Sequence, residues 1–478
     1  MSSIKTIAKN ATILYIGQFV VTFLGFILSV YVARKVGDVG FGKYSFAVAF
    51  SAFFMVFSDL GYHTFLFREI SKNKNDAFHY LSNIITIRII LTAIFFVLLV
   101  ILINIMGYPE ETKNLVYLFG AATLLSSFAS VFRMIFRAFE KMEYDTFTTS
   151  FITITKFVAG VLILYLGYGL IILGISSVVF GFLEILINYA ICRIKFVKPV
   201  LRIDRIFWKN SIKIALPISL SSTFGLIYIH IDTVMLSIMK GDAVVGWYNA
   251  AYNLVLGLTS VPDLFMNALL PIMMVYSVSN KNAFGIIYRK AFKYLFMIGL
   301  PAAVGMTLLA PKLIFIFYGK EYLNSIIALQ ILAWDVLLLF LYRCIYYVLL
   351  SVNKQNQIMI IAGVTALINI GLNLILIPAF SYVGSGIATL ASETVLFGLF
   401  FYVSSKNVMI IPLHKLIIKP IIASGAMGVI IYFLPNFNVI MIIIISILVY
   451  FFILYLTKAI SKEDFDMFRS LFKRSNVN

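Results

Sequence analysis

Charge is scarce in this chain. Of its 478 residues only 12% are Asp, Glu, Lys or Arg, half of the ~25% that a soluble domain usually carries. That excludes an ordinary soluble enzyme. Cysteine is nearly absent too: the two present, Cys192 and Cys344, both fall within or at the end of apolar runs. The chain therefore has neither a disulfide framework nor the Cys/His spacing of a zinc site. The four histidines, His63, His79, His230 and His414, are scattered; they read as interfacial or packing residues, and no metal site is expected. No GxxxxGK[ST] loop is present, so ATP hydrolysis by this chain is not indicated. No catalytic constellation is visible and no loop is long enough to fold alone. The expectation is a protein that is not an enzyme and carries no cofactor beyond a coupling H+ or Na+.

Apolar sequence is abundant. Hydrophobic residues make up 62% of the chain and recur in runs of 20 or more from Ala11 to Thr457, and a ~30 Å hydrocarbon core takes ~20 such residues per helix. That ruler gives fourteen candidate spans, approximately 11–33, 44–67, 81–105, 115–137, 147–166, 169–192, 211–238, 244–276, 291–310, 323–350, 357–378, 383–403, 416–434 and 437–457. The fifth and sixth meet at Gly167, Tyr168 and Gly169, and the long eighth contains Pro262 and Pro271. MSSIKTIAKN leads into the first span without a small-residue cleavage site, which predicts a retained helix rather than a signal peptide. The fold expected is an all-α polytopic membrane protein with both termini on one side.

The 38 Lys+Arg against 20 Asp+Glu give a net charge of +18. Sorted by alternating loops, 28 basic residues fall on the side of the termini. Seven lie opposite (Arg34, Lys35, Lys43, Lys113, Lys240, Lys312 and Lys320), and three, Arg88, Lys156 and Arg343, lie within spans. Short loops rich in Lys and Arg stay in the cytoplasm, so both termini are expected there, in the plasma membrane. Most of the excess charge is thus topological, and nucleic acid is not needed to explain it. Segment 193–210 carries Arg193, Lys195, Lys198, Arg202, Arg205 and Lys209 against Asp204 alone; it reads as a linker held at anionic lipid headgroups.

A shift of 204 residues aligns Gly37, Asp38, Gly42, Tyr44, Ala47, Asp59 and Leu60 with Gly241, Asp242, Gly246, Tyr248, Ala251, Asp263 and Leu264. Seven identities in 24 ungapped positions exceed the roughly one or two that composition would give. Six spans separate the two segments, so both copies share one orientation, as in transporters built from parallel repeats around a site near the midplane. The division expected is a six-helix bundle over 1–200, a second over 201–410, and two further helices with a basic tail over 411–478. Arg133 with Arg343, and Glu184 with Glu393, are looser correspondences.

Ionisable groups at helix centres cost ~2.5 to 3.5 kcal/mol and usually face a cavity or a partner. In the seventh span Ser221, Gly225, Tyr228 and Asp232 share one face, beside an apolar stripe. The first span has Gln18, Thr22, Gly25 and Ser29, and the eleventh has Thr365, Asn369 and Asn373. Such stripes either line a cleft or let helices pack closely. Arg88, Lys156 and Arg343, with Lys43 near the outer mouth and Ser221 and Tyr228 on the seventh span, are candidates for contacting an anionic substrate, since Arg donates a two-pronged fork and Lys acts as a point charge. The competing assignment for the cations is ion pairing with Asp59, Asp232, Asp263, Asp335 or Glu393, carboxylates that are also candidates for binding a coupling H+ or Na+.

The stretches LPISLSSTFGLIYIHIDTVMLSIMKGDAVVGWYNAAYNL (216–254), VPDLFMNALLPIM (261–273), RAFEKMEYDTF (137–147) and NIGLNLILIPAFSYVGSGIATLASE (369–393) resemble the polysaccharide transport family of the multidrug/oligosaccharidyl-lipid/polysaccharide exporter superfamily, the Wzx-type flippases. The resemblance covers essentially the whole chain. It implies two six-helix lobes forming a V around a cationic cavity, two further helices, and alternating-access movement of a polyprenyl-(pyro)phosphate-linked oligosaccharide to the outer leaflet for cell-surface polysaccharide biosynthesis, beside glycan-assembly proteins. Drug-extruding members commonly carry an acidic residue in the first helix and lipid II flippases carry arginines there; residues 11–33 contain neither. Three other functions stay open: an ion-coupled exporter of small amphipathic cations bound by Asp232 and Asp263, a lipid II type flippase, and a glycan polymerase.

Overall fold

The computed structural model describes residues 2–434 and 437–459, with the side chains of 2–12, 15, 16, 217, 218, 221, 222 and 415 outside that description. Its elements are α1 (Ser2–Asp59), α2 (Tyr62–Lys72), α3 (Ala77–Ile105), α4 (Glu110–Ala138), α5 (Met142–Tyr165), α6 (Gly169–Lys195), α7 (Arg205–Lys240), α8 (Asp242–Leu256), α9 (Ser260–Ser279), α10 (Lys281–Phe317), α11 (Ser325–Ser351), α12 (Gln355–Asn407), α13 (Leu413–Phe433) and α14 (Val439–Leu456). There is no strand among the described residues. A helix satisfies its own peptide N–H and C=O groups, which hydrocarbon cannot do.

Among the described residues, twelve continuous helical stretches are long and apolar enough to cross a membrane. They hold fourteen segments, because α1 turns at Gly37 (φ 72, ψ 179) and α12 turns at Ser381 (φ 54, ψ −136), shortly after Pro378. The carbonyl of Pro378 is taken up by the Lys240 ammonium at 2.9 Å. The expected division between the fifth and sixth spans falls between α5 and α6, where Gly167 and Gly169 both have positive φ. The long eighth span is two helices: it breaks over 257–259 into α8 and α9. Pro262 stands in the first turn of α9, where a missing N–H leaves no helical bond unmade.

The internal repeat is visible in the backbone. Gly241 (φ 88, ψ 178) repeats the conformation of Gly37, a region that side chains with a Cβ avoid. Five residues further on the copies touch. A Cβ on Gly42 would lie 1.8 Å from the Asp242 carbonyl oxygen, and one on Gly246 would lie 2.1 Å from that of Asp38. Residue and partner exchange roles, as at an interface about a two-fold axis. This crossing closes one end of the molecule. Around it Trp247 donates to Asp38 at 2.8 Å, Tyr322 donates to the Ala33 carbonyl at 2.9 Å, and the Arg34 guanidinium grips the last carbonyls of α10, those of Ile316 and Phe317.

α1 packs on α4, α5, α7 and α8, α4 on α6, and α11 on α10 and α12. α13 and α14 lie against α10, where the Tyr450 hydroxyl donates to the Met297 carbonyl at 2.6 Å. The segment between α6 and α7 runs extended beside α3: the N–H groups of Val200, Arg202 and Asp204 donate to the side chains of Ser82, Thr86 and Asn83.

Candidate functional site

Polar side chains inside the membrane-spanning body gather in three places. The first lies where the second span breaks. α1 ends at Asp59, Leu60 and Gly61 take positive φ (45 and 77), and α2 starts at Tyr62. Gly61 is required twice, because a Cβ there would also lie 2.3 Å from the Ala215 carbonyl of α7. The break opens onto a cavity of about 350 Å³ lined by Asp59, His63, Thr64, Ser126, Ser127, Ser130, Arg133 and Ser219. It is separated from the Gly42 crossing by 17 residues, roughly 25 Å of helix.

Arg88 is fully buried behind Asp59 and Ser127, which line this cavity. Its Nη2 donates to the hydroxyl (2.8 Å) and carbonyl (2.7 Å) of Ser127, and its Nη1 stands 3.1 Å from Asp59 Oδ1. Removing one partner of a buried pair strands the other charge. Arg88→Ala is expected to lower unfolding stability by about 3 kcal/mol and the Arg88→Ala/Asp59→Ala double variant to recover most of it. Detergent-solubilised thermal denaturation measures both, and additive losses would show that the two groups are uncoupled.

Arg133, counted by sequence with a cytoplasmic loop, stands inside α4. Its Nε is 3.3 Å from Asp145 and its Nη1 bonds Glu184, while Arg137 Nε donates to Asp145 at 2.5 Å. It is therefore a fourth cation within the spans, held there by carboxylates of α5 and α6. Lys156 makes no hydrogen bond or ion pair among the described residues, and Glu184 is the charge that acts on it.

The second cluster joins α7, α8 and α12. Asp232 is buried and accepts from Tyr248 (2.7 Å), Thr389 (2.7 Å) and Asn373 (2.6 Å), and Asn373 also donates to Asn369. The polar stripe of the eleventh span thus meets the carboxylate of the seventh in a closed network rather than at an open cleft. Tyr228 reaches the Thr389 carbonyl at 3.5 Å. Asp335 on α11 and Glu393 on α12 are buried, with Asp335 Oδ1 and Glu393 Oε2 lacking hydrogen-bond partners. The third cluster is Arg343, 3.6 Å from Asp263 and stacked over the Tyr342 ring at 5.4 Å. Tyr347 donates to Asp263 at 3.3 Å.

The remaining candidates lie apart. Lys43 pairs with Glu111 at the crossing end, and the Ser221 side chain lies outside the described residues. In the first span Ser29 accepts from Asn253 of α8 at 3.1 Å, a packing role. Among the described residues no three His, Cys, Asp or Glu gather to hold a metal ion.

A duplicated all-helical membrane body, closed at one end and carrying buried charge networks on either side of its pseudo-axis, has the build of a multi-pass transporter. The polysaccharide biosynthesis protein family model matches residues 7–277, and the MatE model matches residues 217–375. The chain belongs to the polysaccharide biosynthesis protein family, within the multidrug/oligosaccharidyl-lipid/polysaccharide exporter superfamily. An uncharacterized membrane protein of Methanocaldococcus jannaschii is 21% identical over 81% of this chain and 82% of its own length. Among solved structures, the lipid II flippase MurJ in an inward closed conformation superposes with a TM-score of 0.78 at 20% identity, over 93% of this chain and 98% of that one. An inward-facing multidrug resistance MATE family transporter gives 0.64 at 16% identity, over 81% and 95%. A superfamily transporter from Pyrococcus furiosus gives 0.58 at 18% identity, over 84% and 95%. These likenesses are of fold.

Proposed function

We propose that this protein is a flippase that moves a polyprenyl-(pyro)phosphate-linked oligosaccharide from the cytoplasmic to the outer leaflet of the plasma membrane, with both termini in the cytoplasm. The observation that carries this reading is the pairing of a closed crossing at one end with a polar cavity, lined by Arg133 and Asp59, toward the other. That is one of the two arrangements alternating access requires, with residues 1–200 and 201–410 as the units that rock. The polyprenyl tail stays in lipid, because hydrating it would cost ~0.8 kcal/mol per methylene-sized unit. Family membership and the likeness to flippase and exporter folds support the same direction.

Deleting the gene is expected to accumulate lipid-linked oligosaccharide on the cytoplasmic face, measured by leaflet-specific glycan labelling of membrane vesicles. Unchanged surface glycans in a deletion strain without a redundant carrier would sink the proposal. An exporter of small cations would need an open carboxylate. Asp232 is enclosed by its three donors and Asp263 is paired with Arg343, which favours the flippase.

A further inference from the structure

We infer that the segment between α6 and α7 is a fixed strap that docks on the anionic phospholipid headgroups of the leaflet on the side of the termini. Six spans precede it, so it lies on the side where the chain begins, and this holds whatever the protein transports.

The strap is built rather than slack. Residues 197–204 form neither helix nor strand, so their N–H groups must find partners elsewhere. Those of Val200, Arg202 and Asp204 donate at 3.3, 2.9 and 3.0 Å to the side chains of Ser82, Thr86 and Asn83, all three buried on α3. Phe196, Phe207 and Trp208 turn inward at its two ends and pack on the core around Tyr62, Phe65 and Phe136. α3 is 29 residues long, roughly 43 Å, and Ser82 to Thr86 stand roughly 8 to 14 Å from its start. That length matches a bilayer with its headgroups, so the strap lies where headgroups give way to acyl chains.

Its outer side is both apolar and cationic. Successive side chains of an extended chain alternate, which puts Leu201 and Ile203 on one side; they are 70% and 66% exposed, and Ile206 in the first turn of α7 is 75% exposed. Among them stand Arg193, Lys195, Lys198, Arg202, Arg205 and Lys209, all exposed and none paired with a carboxylate among the described residues. Asp204 does not neutralise them. Its side chain caps α7, accepting from the N–H groups of Ile206 and Phe207 at 3.1 and 2.9 Å.

Exposed branched aliphatics interleaved with free cations suit an anionic membrane surface, because the aliphatics enter the acyl boundary while the Lys and Arg stems carry their charge back to the headgroups. A nucleic acid strand would ask for aromatic faces to stack on, and the aromatics here are turned into the core. A soluble acidic protein would match the charge and leave Leu201, Ile203 and Ile206 against its own polar surface. The leaflet needs no recruitment, since the spans already hold the strap beside it.

The test uses the full chain with a bimane on Ile203→Cys; native Cys192 and Cys344 are buried. Nanodiscs of phosphatidylcholine receive a minor fraction of nitroxide-labelled phosphatidylglycerol or, in parallel, of phosphatidylcholine with the same label high on the acyl chain. Phosphatidylglycerol is expected to quench at least about threefold more at low salt, since each cation near an anionic surface favours it severalfold. The ratio should approach unity in Lys198→Gln/Arg202→Gln/Arg205→Gln. It should do the same for the parent in about 1 M salt, where the Debye length is about 3 Å, an arm that needs no charge variant to fold. Leu201→Ser/Ile206→Ser should weaken quenching by both lipids.

Equal quenching by the two lipids in the parent overturns the anionic assignment. An unchanged ratio in the triple variant puts the lipid site elsewhere on the chain and overturns the strap. Quenching by neither lipid places the strap in water and overturns docking on the leaflet in favour of a soluble acidic partner.

Discussion

Gly42→Ala is expected to force the closed end of the protein apart, and Gly246→Ala to do the same. The added methyl would sit 1.8 Å from the Asp242 carbonyl in one case and 2.1 Å from that of Asp38 in the other. Main chain cannot step aside as a side-chain tip can. Overpacking of this kind costs about 1–3 kcal/mol where the surroundings can give; at the upper end the closed state loses roughly a hundredfold in population. Beneath the crossing lies a cavity of about 150 Å³ lined by Ser45, Val48, His230, Asn249 and Tyr252, among others. A Val48→Cys reporter should react with a membrane-impermeant maleimide from outside at least about tenfold faster in either alanine variant, while transport falls to background because the closed arrangement can no longer be visited. Reciprocity makes the prediction strict: the two variants should behave alike, and wild-type labelling in either would show that the crossing does not gate access.

Much of this crossing was legible in the sequence. The shift of 204 residues lined up Gly37, Asp38 and Gly42 with Gly241, Asp242 and Gly246 because a turn with positive φ and a backbone approach both demand glycine, and such demands leave a trace in any one sequence. The spans were legible for a similar reason, since hydrocarbon imposes a length. The break at 60–61 was not. Asp59 and Leu60 align with Asp263 and Leu264, yet the second copy breaks at 257–259 instead, so equal residues do not fix where a helix yields. Arg133 was misplaced because its proximity to the basic turn after α4 made it look like a loop charge; its carboxylates sit on α5 and α6, and no local pattern announces them. Tyr248 and Thr389 reach Asp232 from 16 and 157 positions away. The stripe of Asn369 and Asn373 was visible, but its meeting with Asp232 is a property of tertiary packing.

Asp232→Asn is expected to leave the protein as stable as the parent or more so, and to remove the dependence of transport on an ion gradient. Among the described residues no Lys or Arg pairs with Asp232; its neighbours are three hydrogen-bond donors. A lone charge at a helix centre costs ~2.5 to 3.5 kcal/mol, and neutralising it in place should return part of that cost. We propose that H+ or Na+ occupies this carboxylate for part of the cycle. A spare polar atom adjoins it, since Asn373, which donates to Asp232, has an Oδ1 without a hydrogen-bond partner among the described residues. Proteoliposomes with an imposed Na+ gradient, or an imposed pH gradient, should drive the parent faster than no gradient in one of the two arms, and Asp232→Asn should lose that stimulation. Asp263 provides the contrast. It lies 3.6 Å from Arg343, so Asp263→Asn should cost stability by unpairing the guanidinium and keep the gradient response. Full stimulation in Asp232→Asn, or its loss in Asp263→Asn alone, would move the coupling group from α7 to the Arg343 cluster.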